Sequence, residues 1–232
     1  MQINGATALV TGANRGLGRH LAQRLRDRGA RVYAAARKPE SVDLDGVTPI
    51  ALDVTDPASV ASAAEAAADV SILVNNAGIS TEATVLGGNV DDIRREFETN
   101  VFGTLSVSRA FAPVLGRHAE SYLLNVLSVV SWFSAPHIGG YSASKSAEWS
   151  ITNALRQELA GQGTRVGGLH VGYMDTGMTA DFDVDKLDPA DIARITVDGI
   201  ASGQSEIIAD QLSQDVRSAL ARGVAGLYPE VA

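Results

Sequence analysis

Tyr141 and Lys145 stand four residues apart in GGYSASKSAEWS, residues 139–150, directly behind two glycines. On a helix this spacing puts both side chains on one face, separated by about 6 Å of rise. Two readings are open. In one, the glycines end a loop and an ordinary tyrosine–lysine pair faces solvent. In the other, the ammonium tunes the phenol as a proton donor and acceptor. A phenol with its ordinary pKa of about 10 is a poor base near neutral pH. Lowering it by about three units takes roughly 4 kcal/mol of differential interaction. A phenol tuned in this way suits carbonyl reduction, where charge develops on an oxygen that then needs a proton, and it suits the reverse reaction equally.

A second candidate site lies near the N-terminus. TGANRGLG, residues 11–18, places Gly12, Gly16 and Gly18 where an apolar run at residues 6–10 gives way to an amphipathic pattern. Glycines at such a junction let the backbone approach a pyrophosphate, and the helix N-terminus supplies free N–H groups and positive potential. The spacing is G-x-x-x-G-x-G, which differs from both the G-x-G-x-x-G fingerprint and the P-loop. About 20 residues further on, NAD-binding domains usually carry an acid for the ribose 2′-hydroxyl. Here the second apolar run ends in Ala36-Arg37-Lys38, and Arg15 stands inside the glycine loop. Guanidiniums suit a 2′-phosphate, so the pattern favours NADP(H) over NAD(H). The alternative is a solvated strand end.

These residues need a scaffold, and the chain has the material for one. It has 232 residues, 45% hydrophobic and 20% charged, which suits one sizeable α/β domain. Strand-like runs at 6–10, 31–36, 49–54, 70–74, 121–127, 165–171 and 206–209 alternate with helical stretches. Leu17, Leu21 and Leu25 mark the first helix. A single long helix is expected from Asp91 to Leu115, on the fourfold spacing of Phe97, Val101 and Leu105. Further helices are expected from Tyr141 to about Ala160 and from about Ser213 to Arg222. Asp56-Pro57 and Asp188-Pro189 each read as an N-cap followed by proline at the first helical position. Alternation of this kind calls for right-handed crossovers and a doubly wound parallel sheet with helices on both faces, in a single domain.

The net charge of −8 argues against nucleic-acid and anionic-membrane partners. With no cysteine, thiol nucleophiles and thiolate metal sites are excluded. The opening MQINGATALV does not read as a leader, and no run is long enough to span a bilayer, so a cytoplasmic location is the expectation. His20, His118, His137 and His170 show no metal-ligand spacing. No metal is expected.

TGANRGLG, LDV at 52–54, NNAG at 75–78, NVFG at 100–103, Ser128 followed by Tyr141-Ser-Ala-Ser-Lys145, and VGYMDT at 171–176 occur in that order. Together they resemble the short-chain dehydrogenase/reductase family over nearly the whole chain, implying a Rossmann-like fold. The resemblance implies Tyr141 as general acid–base, Lys145 as its electrostatic partner and ribose ligand, and Ser128 as hydrogen-bond donor to the substrate oxygen. It implies Asn100 as holder of a water linking Lys145 to solvent. For the cofactor it implies the glycine loop with Asn14, Arg15 and Leu17, then Arg37. Asp53 and Val54 would lie at the adenine, Asn76, Ala77 and Gly78 along the ribose, and Thr176 at the nicotinamide carboxamide. It also implies a homodimer or homotetramer formed through the helices near Asp91 and Tyr141. Two positions depart from the family pattern. Val171-Gly172 replaces Pro-Gly, which predicts a less rigid loop, and Leu127 replaces a common serine.

Substrate contacts are expected from Trp132, Phe133, His137, Tyr173 and Met178, with core packing as the rival role for Trp132 and Phe133. The segment 177–187 carries Asp181, Asp183 and Asp185, which favours a neutral, partly apolar ketone or aldehyde over an anion. Two other functions fit parts of the pattern. A sensor of NADP(H) would need only the cofactor half of these residues. Nucleotide-sugar epimerases or dehydratases resemble longer chains, whereas about 55 residues follow Thr176 here.

Overall fold

The computed structural model describes residues 1–231. Seven parallel strands form one sheet in the order β3-β2-β1-β4-β5-β6-β7. They are β1 (Thr7–Thr11), β2 (Arg31–Ala36), β3 (Thr48–Ala51), β4 (Ile72–Asn75), β5 (Ser121–Val126), β6 (Thr164–His170) and β7 (Glu206–Ile208). β1, β4 and β5 are buried along their whole length. Their near-continuous apolar sequences are what strands covered on both faces require.

Side-chain alternation divides the core in two. Ala8, Val10, Ile72, Val74, Tyr122 and Leu124 face one way. They pack against Leu17, Leu21 and Leu25 of α1 (Gly16–Asp27) and against Ile192, Val197 and Ile200 of α6 (Pro189–Ser202). Leu9, Leu73 and Leu123 face the other way, onto α2 (Pro57–Ala66), α4 (Thr104–Leu115) and α5 (Gly139–Glu158). Asp56 and Asp188 cap α2 and α6 as expected, accepting from Ala58 N at 3.0 Å and from Ala190 N at 2.8 Å. Two helices, α7 (Gln211–Ala219) and α8 (Val224–Leu227), complete the described chain. No helix among the described residues is long and apolar enough to cross a membrane.

Most strand ends shift by one or two residues, and the last helix, expected over Ser213–Arg222, is α7 over Gln211–Ala219. Three differences bear on the site. The third strand stops at Ala51, because Asp53 accepts from both Thr55 N (3.0 Å) and Thr55 Oγ1 (2.7 Å) and turns the chain. The helix expected to run unbroken to Leu115 is three segments: α3 (Val90–Phe97), a π-helical stretch Glu98–Gly103, and α4. Phe97, Val101 and Leu105 keep a spacing of four across the π stretch, which hides it from periodicity. The helix carrying Tyr141 begins earlier, at Gly139.

Strand order reverses between β1 and β4, so β2 and β5 lead away on opposite sides. Ligands of such sheets bind in the crevice at the carboxyl ends of the strands beside this switch point. Thr11, Asn75 and Val126 end β1, β4 and β5 there.

Candidate active site

The glycine loop leaves β1 with Gly12 at φ +65° and Gly16 at φ +52°, conformations that carry no Cβ penalty only in glycine. Gly18 is needed for closeness: a Cβ there would lie 2.3 Å from Gly12 O and 2.4 Å from Asn76 Nδ2. Thr11 fastens this loop to the end of β4. Its hydroxyl accepts from Asn76 N and Ala77 N, both at 2.9 Å, and Asn76 Nδ2 donates to Thr11 O at 2.8 Å. Thr176 reaches over the loop from the far side, 3.5 Å from the place a Gly16 Cβ would take.

Leu17 is buried in the first turn of α1, while Asn14 is partly open and Arg15 is exposed at the N-cap. Arg37 and Lys38 are exposed at the end of β2. Among the described residues, Arg15, Arg37 and Lys38 make no ion pair. Asp53 sits beside this end of the sheet; the Thr55 hydrogen bonds, and more weakly Arg37, hold its carboxyl below the usual range. Val54 packs against Gly103 of the π stretch. A glycine cradle, a helix N-terminus and exposed cations fit the phosphates of a dinucleotide.

Tyr141, Lys145, Ser128 and Asn100 converge across the crevice. Lys145 is almost fully buried; its Nζ donates to Val126 O at 2.8 Å and to Glu148 Oε2 at 2.7 Å, and lies 5.9 Å from the Tyr141 ring centroid. Asn100, wholly buried in the π stretch, accepts from Ile79 N at 2.9 Å and donates to Ile79 O at 2.9 Å and Ser144 Oγ at 3.0 Å. Gly78 fits between them: a Cβ there would stand 3.2 Å from Asn100 Oδ1 and 3.8 Å from Lys145 Nζ. Ser128 opens a short turn behind β5, with its hydroxyl 3.3 Å from Val130 N and 3.4 Å from Val171 O.

Burial pushes the Tyr141 phenol above its ordinary value, and Lys145 and Ser128 pull it back only in part. The ammonium therefore exerts the expected pull without winning. Its own pKa is drawn down by burial, but the Glu148 carboxylate and Tyr141 outweigh this and leave it raised.

Four aromatic or imidazole groups gather beside Tyr141. Phe133, Tyr141 and Phe182 pack on the small cluster of Val129, Val130 and Ile138. The Phe182 ring is 5.8 Å from His137 and 5.6 Å from Tyr173. Met178 stays exposed on the neighbouring turn. Trp132 takes a different place: buried, it stacks on His170 at 3.7 Å and lies under Arg217. The loop at Val171-Gly172 is tethered without proline, because Gly172 N donates to Asp210 Oδ2 at 2.9 Å.

His170 is buried with its Nδ1 3.3 Å from Ser128 O, and burial is the main reason its pKa falls to about 3. An unfolded histidine titrates near 6.5, so the folded state refuses a proton that the unfolded state accepts between these values. The stability this contributes is complete above pH 6.5 and is lost as pH falls, by about 1.4 kcal/mol per unit. His170→Gln is expected to flatten urea-denaturation stability against pH between 6.5 and 4, relative to the unmodified chain. Parallel slopes would show that His170 takes up a proton without unfolding.

Sequence reasoning passed over three residues that the structure brings to the site. Thr11 is part of the glycine motif but acts through its hydroxyl. Glu148 lies three residues beyond Lys145, a spacing that marks an i, i+3 ion pair. Glu96 is fully buried on α3, with Oε1 accepting from Thr81 N at 2.7 Å and Thr81 Oγ1 at 2.9 Å.

Comparison with known proteins agrees with this geometry. A family model described as short chain dehydrogenase matches residues 6–186. An oxidoreductase of Botryotinia fuckeliana is 32% identical over 178 residues, covering 72% of this chain and 65% of that protein. The chain thus spans just under two thirds of that relative's length. A short chain dehydrogenase from Burkholderia cenocepacia in complex with NADP superposes with a TM-score of 0.95 at 35% identity, covering 100% of this chain and 99% of that one. A short chain dehydrogenase/reductase from Burkholderia phymatum in complex with NAD gives a TM-score of 0.82 at 26% identity, covering 96% and 93%. With a switch-point glycine loop and a tyrosine–lysine turn opposite it, and with the family match spanning both, this chain belongs to the short-chain dehydrogenase/reductase family of oxidoreductases.

Proposed function

We propose that this chain interconverts a carbonyl and an alcohol with NADP(H) in preference to NAD(H), and that Tyr141 is the general acid–base residue. One observation carries the reading. Tyr141, Lys145 and Ser128 meet at the carboxyl ends of β4 and β5, across the crevice from a glycine loop flanked by unpaired Arg15 and Arg37. A bound dinucleotide would supply or accept the hydride. Gly12, Gly16, Gly18 and the α1 N-terminus would hold its pyrophosphate, and Arg15 and Arg37 a 2′-phosphate. Asp53 and Val54 would border the adenine, Asn76, Ala77 and Gly78 the ribose, and Thr176 the carboxamide. Ser128 holds the substrate oxygen while Tyr141 gives it a proton in reduction and removes one in oxidation. Lys145 binds ribose and favours phenolate; Asn100 orders the turn beside it. The relative solved with NADP supports this cofactor choice, although another family member was solved with NAD.

Phe133, His137, Tyr173 and Phe182 wall the entrance beside Tyr141, and the acidic segment 181–185 lies next to them. A neutral, partly apolar ketone or aldehyde fits this lining. Assembly into a homodimer or homotetramer through the helical run from α3 to α4 and through α5 belongs to the same proposal, and the exposed Phe102 within that run supports it.

A panel of carbonyl compounds followed by NADPH consumption, with NADH in parallel, tests the reaction. Arg37→Ala is expected to lower the NADPH/NADH ratio of kcat/KM by about 10- to 100-fold, the worth of a charge-assisted phosphate contact. Faster turnover of the unmodified chain with NADH would remove the role given to Arg15 and Arg37.

A further inference from the structure

The nearest charged partner of Lys145 is Glu148, not the phenol. Glu148 is 1% exposed, and its Oε2 accepts from Lys145 Nζ at 2.7 Å while Oε1 accepts from Thr104 Oγ1 at 3.2 Å. Its place on α5 is set by a polar chain through the core. Thr152 Oγ1 donates to Glu148 O at 2.7 Å and accepts from Asn125 Nδ2 at 2.8 Å; Asn125 Oδ1 in turn accepts from Asn75 Nδ2 at 2.9 Å. The chain ties the Glu148 backbone to the ends of β4 and β5, while Thr104 holds the carboxylate itself beside the ammonium.

We infer that Glu148 is a positioning residue that sets how much of the Lys145 charge reaches the Tyr141 phenol. Lys145 and Glu148 share the phenol's helix, Glu96 acts on it from α3, and the neutral Ser128 hydroxyl approaches from the turn behind β5. Phe182, packed on the same small cluster, stands between Asp181 and Asp183 and brings His137 and Tyr173 near. With Glu148 ionised and Lys145 charged, the phenol, ammonium and carboxylate together are neutral. Loss of the phenol proton leaves a net negative charge in a buried site. Neutralising position 148 leaves the same step ending at zero, so the proton departs at lower pH. Lys145 keeps its Val126 carbonyl, and a glutamine at 148 still offers it an oxygen acceptor. This inference draws on the proposed reaction only for the phenol's catalytic role.

The test uses the ligand-free full chain. Tyrosinate absorbance is read within seconds of a jump to alkaline pH, and the trace of the matching Tyr141→Phe variant is subtracted to leave Tyr141 alone. The midpoint is expected to fall by about one pH unit in Glu148→Gln and in Glu148→Met. An unchanged or higher midpoint in the folded variants overturns the inference. If neither variant folds, Glu148 serves the fold and the inference fails as well. A lack of turnover on the carbonyl panel would strike the proposed reaction and leave this titration standing.

Discussion

Tyr141→Phe is expected to lower carbonyl turnover with NADPH by about 10²- to 10⁴-fold, the usual worth of a positioned general acid. Dinucleotide affinity should stay nearly unchanged. The substitution removes one oxygen and keeps the ring, whose packing on Val129, Val130 and Ile138 is apolar. The hydroxyl is not part of the core's polar network; Ser128 is its hydrogen-bonding neighbour. Melting temperature should therefore move little, and a circular-dichroism melt separates lost chemistry from lost fold. The pH dependence gives a second signature. The phenol's pKa is raised, so the protonated form needed for reduction persists through neutral pH, and the phenolate needed for oxidation forms only as pH rises. Alcohol oxidation by the unmodified chain should climb with pH, and the variant should show no such climb. Turnover equal to that of the parent would remove Tyr141 from the chemistry.

The parts of this site that could be read before any coordinates share one property: their meaning is local. Tyr141 and Lys145 meet because four residues of helix bring them together wherever the helix lies. The glycine loop is legible because Gly12, Gly16 and Gly18 occur where a strand pattern becomes a helix pattern, and Asp56-Pro57 and Asp188-Pro189 mark helix starts by the same short-range logic. What escaped is decided at a distance. Glu148 and Lys145 at i, i+3 read equally as an exposed pair like Arg94–Asp91, which does lie on the surface. Only Thr104 of α4 and Val126 of β5, arriving from elsewhere in the chain, show that one pair is buried. Thr11 and Asn76 are 65 residues apart, and no pattern on either side announces their contact. The π stretch was hidden because Phe97, Val101 and Leu105 satisfy an unbroken helix almost as well.

Lys145→Met is expected to abolish most turnover and also to destabilise the chain, by about 3–5 kcal/mol near pH 8, because it strands a buried carboxylate. In a chain of this size such a loss lowers Tm by roughly 10 °C. The pH dependence follows from Glu148. Burial pushes its carboxyl up, and the Lys145 ammonium is the first of the groups that pull it down. With the ammonium gone, the folded pKa stands well above the unfolded carboxylate value near 4.3, so the folded state holds a proton that the unfolded state releases. The stability deficit should be small below pH 4, widen as pH rises through the folded pKa, and then level off. Urea denaturation of parent and variant across that range reads it directly. The double variant Lys145→Met/Glu148→Leu removes both charges together, and a buried ion pair replaced by apolar groups of similar volume is often neutral for stability. It should recover most of the lost stability and none of the lost turnover. A double variant as unstable as the single one would show that packing around α5, rather than the unpaired carboxylate, carries the loss. Recovery of activity in it would show that the reaction does not need the ammonium.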